Sequence, residues 1–111
     1  MRFAIPTSKG KLCTHFGHSE AFAIIDADEK GSVISETYVV PPPHEPGVLP
    51  KWLKEKGVEK VIAGGMGTRA QMFFSEMGID VVLGAVGEEP KEVVKAYLDG
   101  SLVRGPNVCD H

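Results

Sequence analysis

The hydrophobic period of this chain first changes after Pro41-Pro42-Pro43, and that switch constrains the fold more than any motif does. Ahead of the prolines, residues 2–6, 21–27 and 32–40 are rich in Phe, Ile, Val and Tyr. The third segment alternates, with Val33, Ser35, Thr37 and Val39 on one side and Ile34, Glu36, Tyr38 and Val40 on the other. A period of two is strand geometry. Asp28-Glu29-Lys30-Gly31 lies between the second and third segments, and its glycine supplies the positive φ of a tight turn, so the two are expected to pair as an antiparallel hairpin.

Beyond the prolines the period lengthens. Val48, Leu49, Trp52 and Leu53 recur at helical spacing, with Pro50 suited to a first turn and Gly57 to a C-terminal cap. Residues 58–63 read as a strand. Residues 68–77 read as a helix with Ala70, Phe73, Phe74 and Met77 inward and Gly78 ending it. A strand over 79–85 and a helix over 90–99, the latter with Val93, Val94, Tyr97 and Leu98 on one face and Gly100 after it, complete the order βββαβαβα. Helices that link strands imply right-handed crossovers and a sheet covered on both faces. The expectation is an α/β fold: a three-layer α/β/α sandwich around a mixed five-stranded sheet. In it, residues 7–20, 41–47, 64–68 and 85–89 gather at one sheet edge, where ligands of open α/β sheets bind.

Composition bounds the remaining classes. A chain of 111 residues with 42% hydrophobic and 24% charged residues is expected to form one domain over 1–111. The net charge is −3 and the Lys and Arg residues are scattered, which gives no footprint for nucleic acid or anionic lipid. No apolar run approaches the roughly 20 residues of a membrane span, and Met1-Arg2-Phe3-Ala4-Ile5-Pro6 lacks the apolar stretch of a signal peptide. A cytoplasmic setting is expected, in which the two cysteines would be metal ligands or inert thiols rather than a disulfide.

Those cysteines sit in two similar units, Cys13-Thr14-His15 and Cys109-Asp110-His111. In an extended backbone residues two apart point the same way, so each pair can reach a single metal. With His18 and His44 they make up all the thiols and imidazoles of the chain, every one in an expected loop or the C-terminal segment. Sulfur with imidazole suits zinc, copper(I) or an iron-sulfur cluster better than magnesium or calcium. Ordinary solvated loop histidines are the competing reading. The segment 101–111 starts at the far end of the third helix and has to travel back to contribute.

Gly64-Gly65-Met66-Gly67-Thr68 follows a strand and opens a helix, a context in which backbone N–H groups face an anion beside the positive helix end, with Thr68 as N-cap. Arg69 follows where a phosphate loop would carry Lys and Ser or Thr. Met66 and Arg69 are placed to flank a bulky inorganic ligand, and a purely structural tight turn is the alternative. No serine has a nucleophile-elbow setting, and Cys13 beside His15 lacks a third orienting group, so no enzyme is expected.

Two stretches resemble a known family. His15-Phe16-Gly17-His18 with Phe22-Ala23-Ile24-Ile25-Asp26 looks like the His-Phe-Gly segment and second strand of the dinitrogenase iron-molybdenum cofactor biosynthesis proteins. Gly57-Val58 and Val61-Ile62-Ala63-Gly64-Gly65-Met66-Gly67, with Arg69-Ala70 and Gly78-Ile79, is similar to that family's central strand-loop-helix signature. The resemblance implies a ribonuclease H-like fold. It also implies a non-catalytic carrier of an iron-sulfur or molybdenum-iron cluster that works with cluster-assembly proteins. His15 is the position it carries over most directly, and the loop of Gly64, Gly65, Met66, Gly67, Thr68 and Arg69 would lie beside the cluster. Metal ligation is then expected from Cys13, His15, His44, Cys109 and His111, with His18 a weaker candidate. The alternative is an anion-binding or protein-interaction module that uses residues 64–68 without metal.

Overall fold

The computed structural model describes residues 1–12, 19–42, 47–102 and 105. Its elements run β1 (Arg2–Ser8), β2 (Lys11–Leu12), β3 (Ala21–Ala27), β4 (Val33–Val39), α1 (Val48–Glu55), β5 (Lys60–Ile62), α2 (Thr68–Glu76), β6 (Asp80–Val82) and α3 (Pro90–Asp99). The strand order across the sheet is β4-β3-β1-β5-β6, with β2 paired to β1. β1, β3 and β4 form an antiparallel meander, while β1, β5 and β6 are parallel. With the two-residue β2 set aside, this is the expected βββαβαβα order on a mixed sheet, in the ribonuclease H-like arrangement.

Period-two alternation in the three central strands builds two cores at once. Ala4, Phe22, Ile24 and Val61 point to one face, where they meet Leu49 and Leu53 of α1 and Phe74 of α2. Phe3, Ile5, Ala23, Ile25 and Ile62 point to the other and meet Val93 and Val94 of α3. Helices on both faces make three layers. Among the described residues Thr7 is the one buried polar side chain, and its hydroxyl donates to the Ala21 carbonyl at 2.8 Å.

The helices stop where glycine permits it. After α1 the Gly57 N–H donates to the Lys54 carbonyl and the Val58 N–H to the Leu53 carbonyl; after α2 Gly78 and Ile79 bond Ser75 and Phe74 in the same way. Both glycines are left-handed, with φ of 79° and 73°, and the buried pairs Val58–Leu53 and Ile79–Phe74 complete two Schellman closures. These closures explain why β5 and β6 start later than expected. The N–H groups of Val58 and Ile79 cap helices and are not available to the sheet ladder.

β2 was not anticipated, because two residues carry no period. It pairs with β1 through the two-residue turn Lys9-Gly10, both at positive φ (55° and 80°). That is the backbone demanded by the twist of a tight hairpin, and the lysine adopts it against its steric preference.

At the end of the sheet remote from the loops, Arg2 joins three elements. Its guanidinium makes a two-pronged contact with Asp26 of β3, at 2.8 Å and 3.2 Å, and donates to the Lys56 carbonyl after α1. The Arg2 hydrogen bond holds the Asp26 carboxyl below its usual range and outweighs the opposing effect of partial burial; the Ser35 hydroxyl adds to it. A lowered carboxylate pKa stabilises the fold fully above the unfolded aspartate value of about 3.9, and the contribution is lost as pH falls through the folded value. Both groups are partly solvated, so screening limits the effect to about 1 kcal/mol. Asp26→Asn is expected to cost about that much at neutral pH and nothing at pH near 2, measured by urea unfolding at the two pH values.

Candidate functional site

β1, β4, β5 and β6 run in the same direction, so the segments that follow them all leave the sheet at its carboxyl-terminal edge. The described residues that border this edge are Ser8 to Leu12 and Ser19-Glu20, Val40 to Pro42 and Gly47, Ala63 to Gly67, and Leu83 to Glu89. All three helices begin there.

The glycine-rich loop is built into the sheet rather than hung from it. Ala63, Gly64, Gly65 and Met66 are buried. The Ala63 N–H donates to the Val82 carbonyl at 2.9 Å, the Gly84 N–H to Gly64 at 3.0 Å and the Ala85 N–H to Ala63 at 3.1 Å, which ties the loop after β5 to the loop after β6. Met66 is fully buried and packs with Leu49, Leu53 and Phe74. Its side chain anchors the loop in the core, and what it offers at the edge is backbone. Gln71 fastens the same turn by donating its side-chain amide to the Met66 carbonyl at 3.0 Å.

The N-cap of α2 lies one residue earlier than expected. Gly67 has the extended N-cap conformation (φ −67°, ψ 156°), and Thr68 is the first helical residue. Gly67 has no side chain to bond the first turn, as an N-cap Thr would. Thr68 and Arg69 are exposed at the helix start.

Charge is distributed unevenly along the edge. Neither α1 nor α2 has an acidic residue in its first turn or a side-chain cap, and α2 carries Arg69 there. α3 by contrast begins with Glu89 as N-cap and Glu92 in its first turn, preceded by Glu88. Helix N-termini carry partial positive charge, so the side occupied by α1 and α2 favours an anion and the α3 side does not.

Cys13, His15, His18, His44, Cys109 and His111 lie outside the described residues. Among the described residues no group of three His, Cys, Asp or Glu side chains is placed to hold a metal ion. What the structure does define is where the bordering chain is fixed. Leu12, which precedes Cys13, donates its N–H to the Glu88 carbonyl at 2.8 Å, and Lys11 pairs with Glu88 at 3.4 Å. Beyond the segment, the Glu20 N–H donates to the Thr7 carbonyl at 2.8 Å, and the Glu20 carboxylate accepts from the Ser8 hydroxyl and the Lys9 N–H. The Ser8 hydrogen bond is the main reason the Glu20 carboxyl lies below its usual range. Pro42 and Gly47 border the segment containing His44 at the same edge.

Two further residues, Gly84 and Gly105, were not singled out from sequence. The Gly105 N–H donates to the Gly84 carbonyl at 2.5 Å. The chain that leaves the far end of α3 has therefore returned to the edge by residue 105. Inside the expected strand 79–85, Gly84 gave no signal of its own, since that glycine's purpose depends on a segment 21 positions later.

The family model described as dinitrogenase iron-molybdenum cofactor matches residues 1–100. The uncharacterised protein MJ0580 of Methanocaldococcus jannaschii is 30% identical over 106 residues, covering 92% of this chain and 89% of that protein. The crystal structure of PH0822 is similar with a TM-score of 0.85 at 34% identity, covering 95% of this chain and 96% of that one. The apo form of the orange protein from Desulfovibrio gigas shares the fold, with a TM-score of 0.71 at 22% identity over 96% of this chain and 93% of that one.

Because Met66 acts through packing, Met66→Ala is expected to lower unfolding stability by about 2–5 kcal/mol, whereas the volume-conserving Met66→Leu should cost under about 1.5 kcal/mol. Chemical denaturation of the two variants beside the unmodified protein checks this.

Proposed function

From the premise that this chain belongs to the dinitrogenase iron-molybdenum cofactor family, we propose that it binds an iron-sulfur or molybdenum-iron cluster as cargo at the carboxyl-terminal edge of its sheet. It carries the cluster without turning it over. The observation that supports this most is convergence. The loop of Gly64, Gly65, Met66, Gly67 and Thr68 lies at the same edge as the fixed residues bordering each cysteine- or histidine-bearing segment: Leu12 and Glu20, Pro42 and Gly47, and Gly105.

The chemistry of the donors agrees. Cys13 and Cys109 supply thiolates, and His15, His44 and His111 supply imidazoles, with His18 in reserve; thiolate and imidazole are the ligands of iron-sulfur centres. A sulfide- and thiolate-rich cluster is anionic, and the α1 and α2 N-termini with Arg69 provide the matching sign. Backbone N–H groups in the glycine loop can approach a bulky ligand closely because glycines 64, 65 and 67 interpose no side chain. Such a protein would receive its cargo from, or pass it to, cluster-assembly proteins.

Anaerobic reconstitution with iron and sulfide is expected to give visible charge-transfer absorption and stoichiometric bound metal. Cys109→Ala and His111→Ala should each weaken both signals. A folded protein with neither absorption nor bound metal overturns the proposal.

The bias of charge toward α1 and α2 also favours a second reading, in which the loop and Arg69 hold a phosphate-bearing ligand or partner without metal. It predicts stabilisation by phosphate compounds of about 2.7 kcal/mol at a hundredfold excess over Kd, lost in Arg69→Ala. Thermal shift with phosphate and with metal separates the two readings.

A further inference from the structure

We infer that Gly84 is the positioning residue for the segment carrying Cys109, Asp110 and His111. The inference rests on the cluster-carrying reading above for its functional consequence, but its structural content stands alone.

α3 carries the chain away from the ligand edge. Its last turn lies beside the β3–β4 hairpin, where a Cβ on Gly31 would touch Leu98 at 3.8 Å. Gly100 then reverses the direction in the left-handed conformation (φ 82°), with the Ser101 and Leu102 N–H groups both donating to the Ala96 carbonyl. Leu102 packs against the core on the α3 side. Three residues later the Gly105 N–H reaches the Gly84 carbonyl, while the Gly84 N–H donates to the Gly64 carbonyl at 3.0 Å. Gly64, Gly84 and Gly105 thus form one hydrogen-bonded rail running from the glycine-rich loop to the returning chain.

Gly84 is constrained twice. Its φ of 75° is left-handed, and a Cβ there would run into the Gly105 carbonyl oxygen and lie 3.2 Å from the Gly105 nitrogen. Those atoms are backbone and cannot swing aside as a side chain would. Gly105 is not constrained in the same way. A Cβ added to it would meet only Val86 at 3.9 Å and the Gly84 carbonyl oxygen at 4.0 Å, both ordinary contacts. Glycine is therefore needed at 84 to admit the segment and not at 105 to be admitted.

The location suits the proposed task. Cys109 is four residues beyond Gly105, a reach of at most roughly 13 Å. β1, whose following segment carries Cys13 and His15, is two strands from β6, roughly 10 Å across the sheet. Holding residue 105 at β6 raises the effective concentration of the Cys109 and His111 donors at the edge, which an unanchored chain end would not do.

The test uses the full chain with Gly84→Ala, Gly105→Ala and Gly105→Pro, the last removing the donor from the returning segment without touching the sheet. By NMR hydrogen exchange on the metal-free protein, the Gly105 amide should be protected in the unmodified chain. It should exchange at least about tenfold faster in Gly84→Ala, while the core amides of Leu53 and Phe74 keep their protection. An unprotected Gly105 amide in the unmodified chain, or unchanged protection in Gly84→Ala, overturns the inference. In iron-sulfide loading, Gly105→Ala should behave as unmodified, and Gly84→Ala and Gly105→Pro should lose what Cys109→Ala loses. Combining Gly84→Ala with Cys109→Ala should add nothing to Cys109→Ala alone. Additive losses overturn the positioning role. If the exchange pattern holds but no variant, nor the unmodified chain, takes up metal, the cluster proposal fails and the structural role of Gly84 stands.

Discussion

The arrangement of the molecule depends on β1 being paired differently on its two sides. Its antiparallel partner β3 extends the meander, its parallel partner β5 begins the crossover half, and its alternate residues feed both cores. A strand buried on both faces reads as a near-continuous apolar run, as Phe3-Ala4-Ile5-Pro6 does. Once β1 is seated so, direction follows. β4 regains the sense of β1 after two reversals, and β5 and β6 keep it through helical crossovers. Four loops and three helix starts then have one edge in common without any loop having to encode its own destination.

Most of this was legible in the sequence because it rests on local chemistry. Apolar composition identified β1 and β3, period two identified β4, and period 3.6 with terminal glycines identified α1, α2 and α3, the last to the residue. What was misread belongs to interactions with remote partners. Val58 and Ile79 look like strand residues, and they are apolar for the sake of the sheet and helix they join, but their N–H groups close Schellman motifs. Lys11-Leu12 has strand status only because β1 and Glu88 flank it. Thr68 looks like an N-cap, yet the extended residue is Gly67.

The candidate site divides in the same way. The glycine-rich loop could be read directly, since strand, glycines and helix are contiguous, although the inward course of Met66 could not: a methionine in a loop gives no sign of the cavity that receives it. The thiols and imidazoles were visible as a repeated Cys-x-His pair in positions 13–15 and 109–111. Their convergence is a topological matter. No composition or spacing shows that a chain leaving α3 at the far end is back beside β6 five residues after Gly100, because that return is fixed by a backbone contact between two glycines.

The shortness of β6 matters at the rim of the sheet. An outermost strand displays a row of unsatisfied donors and acceptors that can template pairing with another molecule, and the hazard grows with the length and flatness of the row. Here the row is three residues long, and just past it Gly105 occupies the Gly84 carbonyl. At the opposite rim, the irregularity where Asp26-Ala27 faces Val33 and Ser35 adds local twist to β4 and breaks the flatness a second strand would need. The same returning segment that brings residue 105 to the ligand edge thus also blunts the β6 flank against strand-for-strand aggregation.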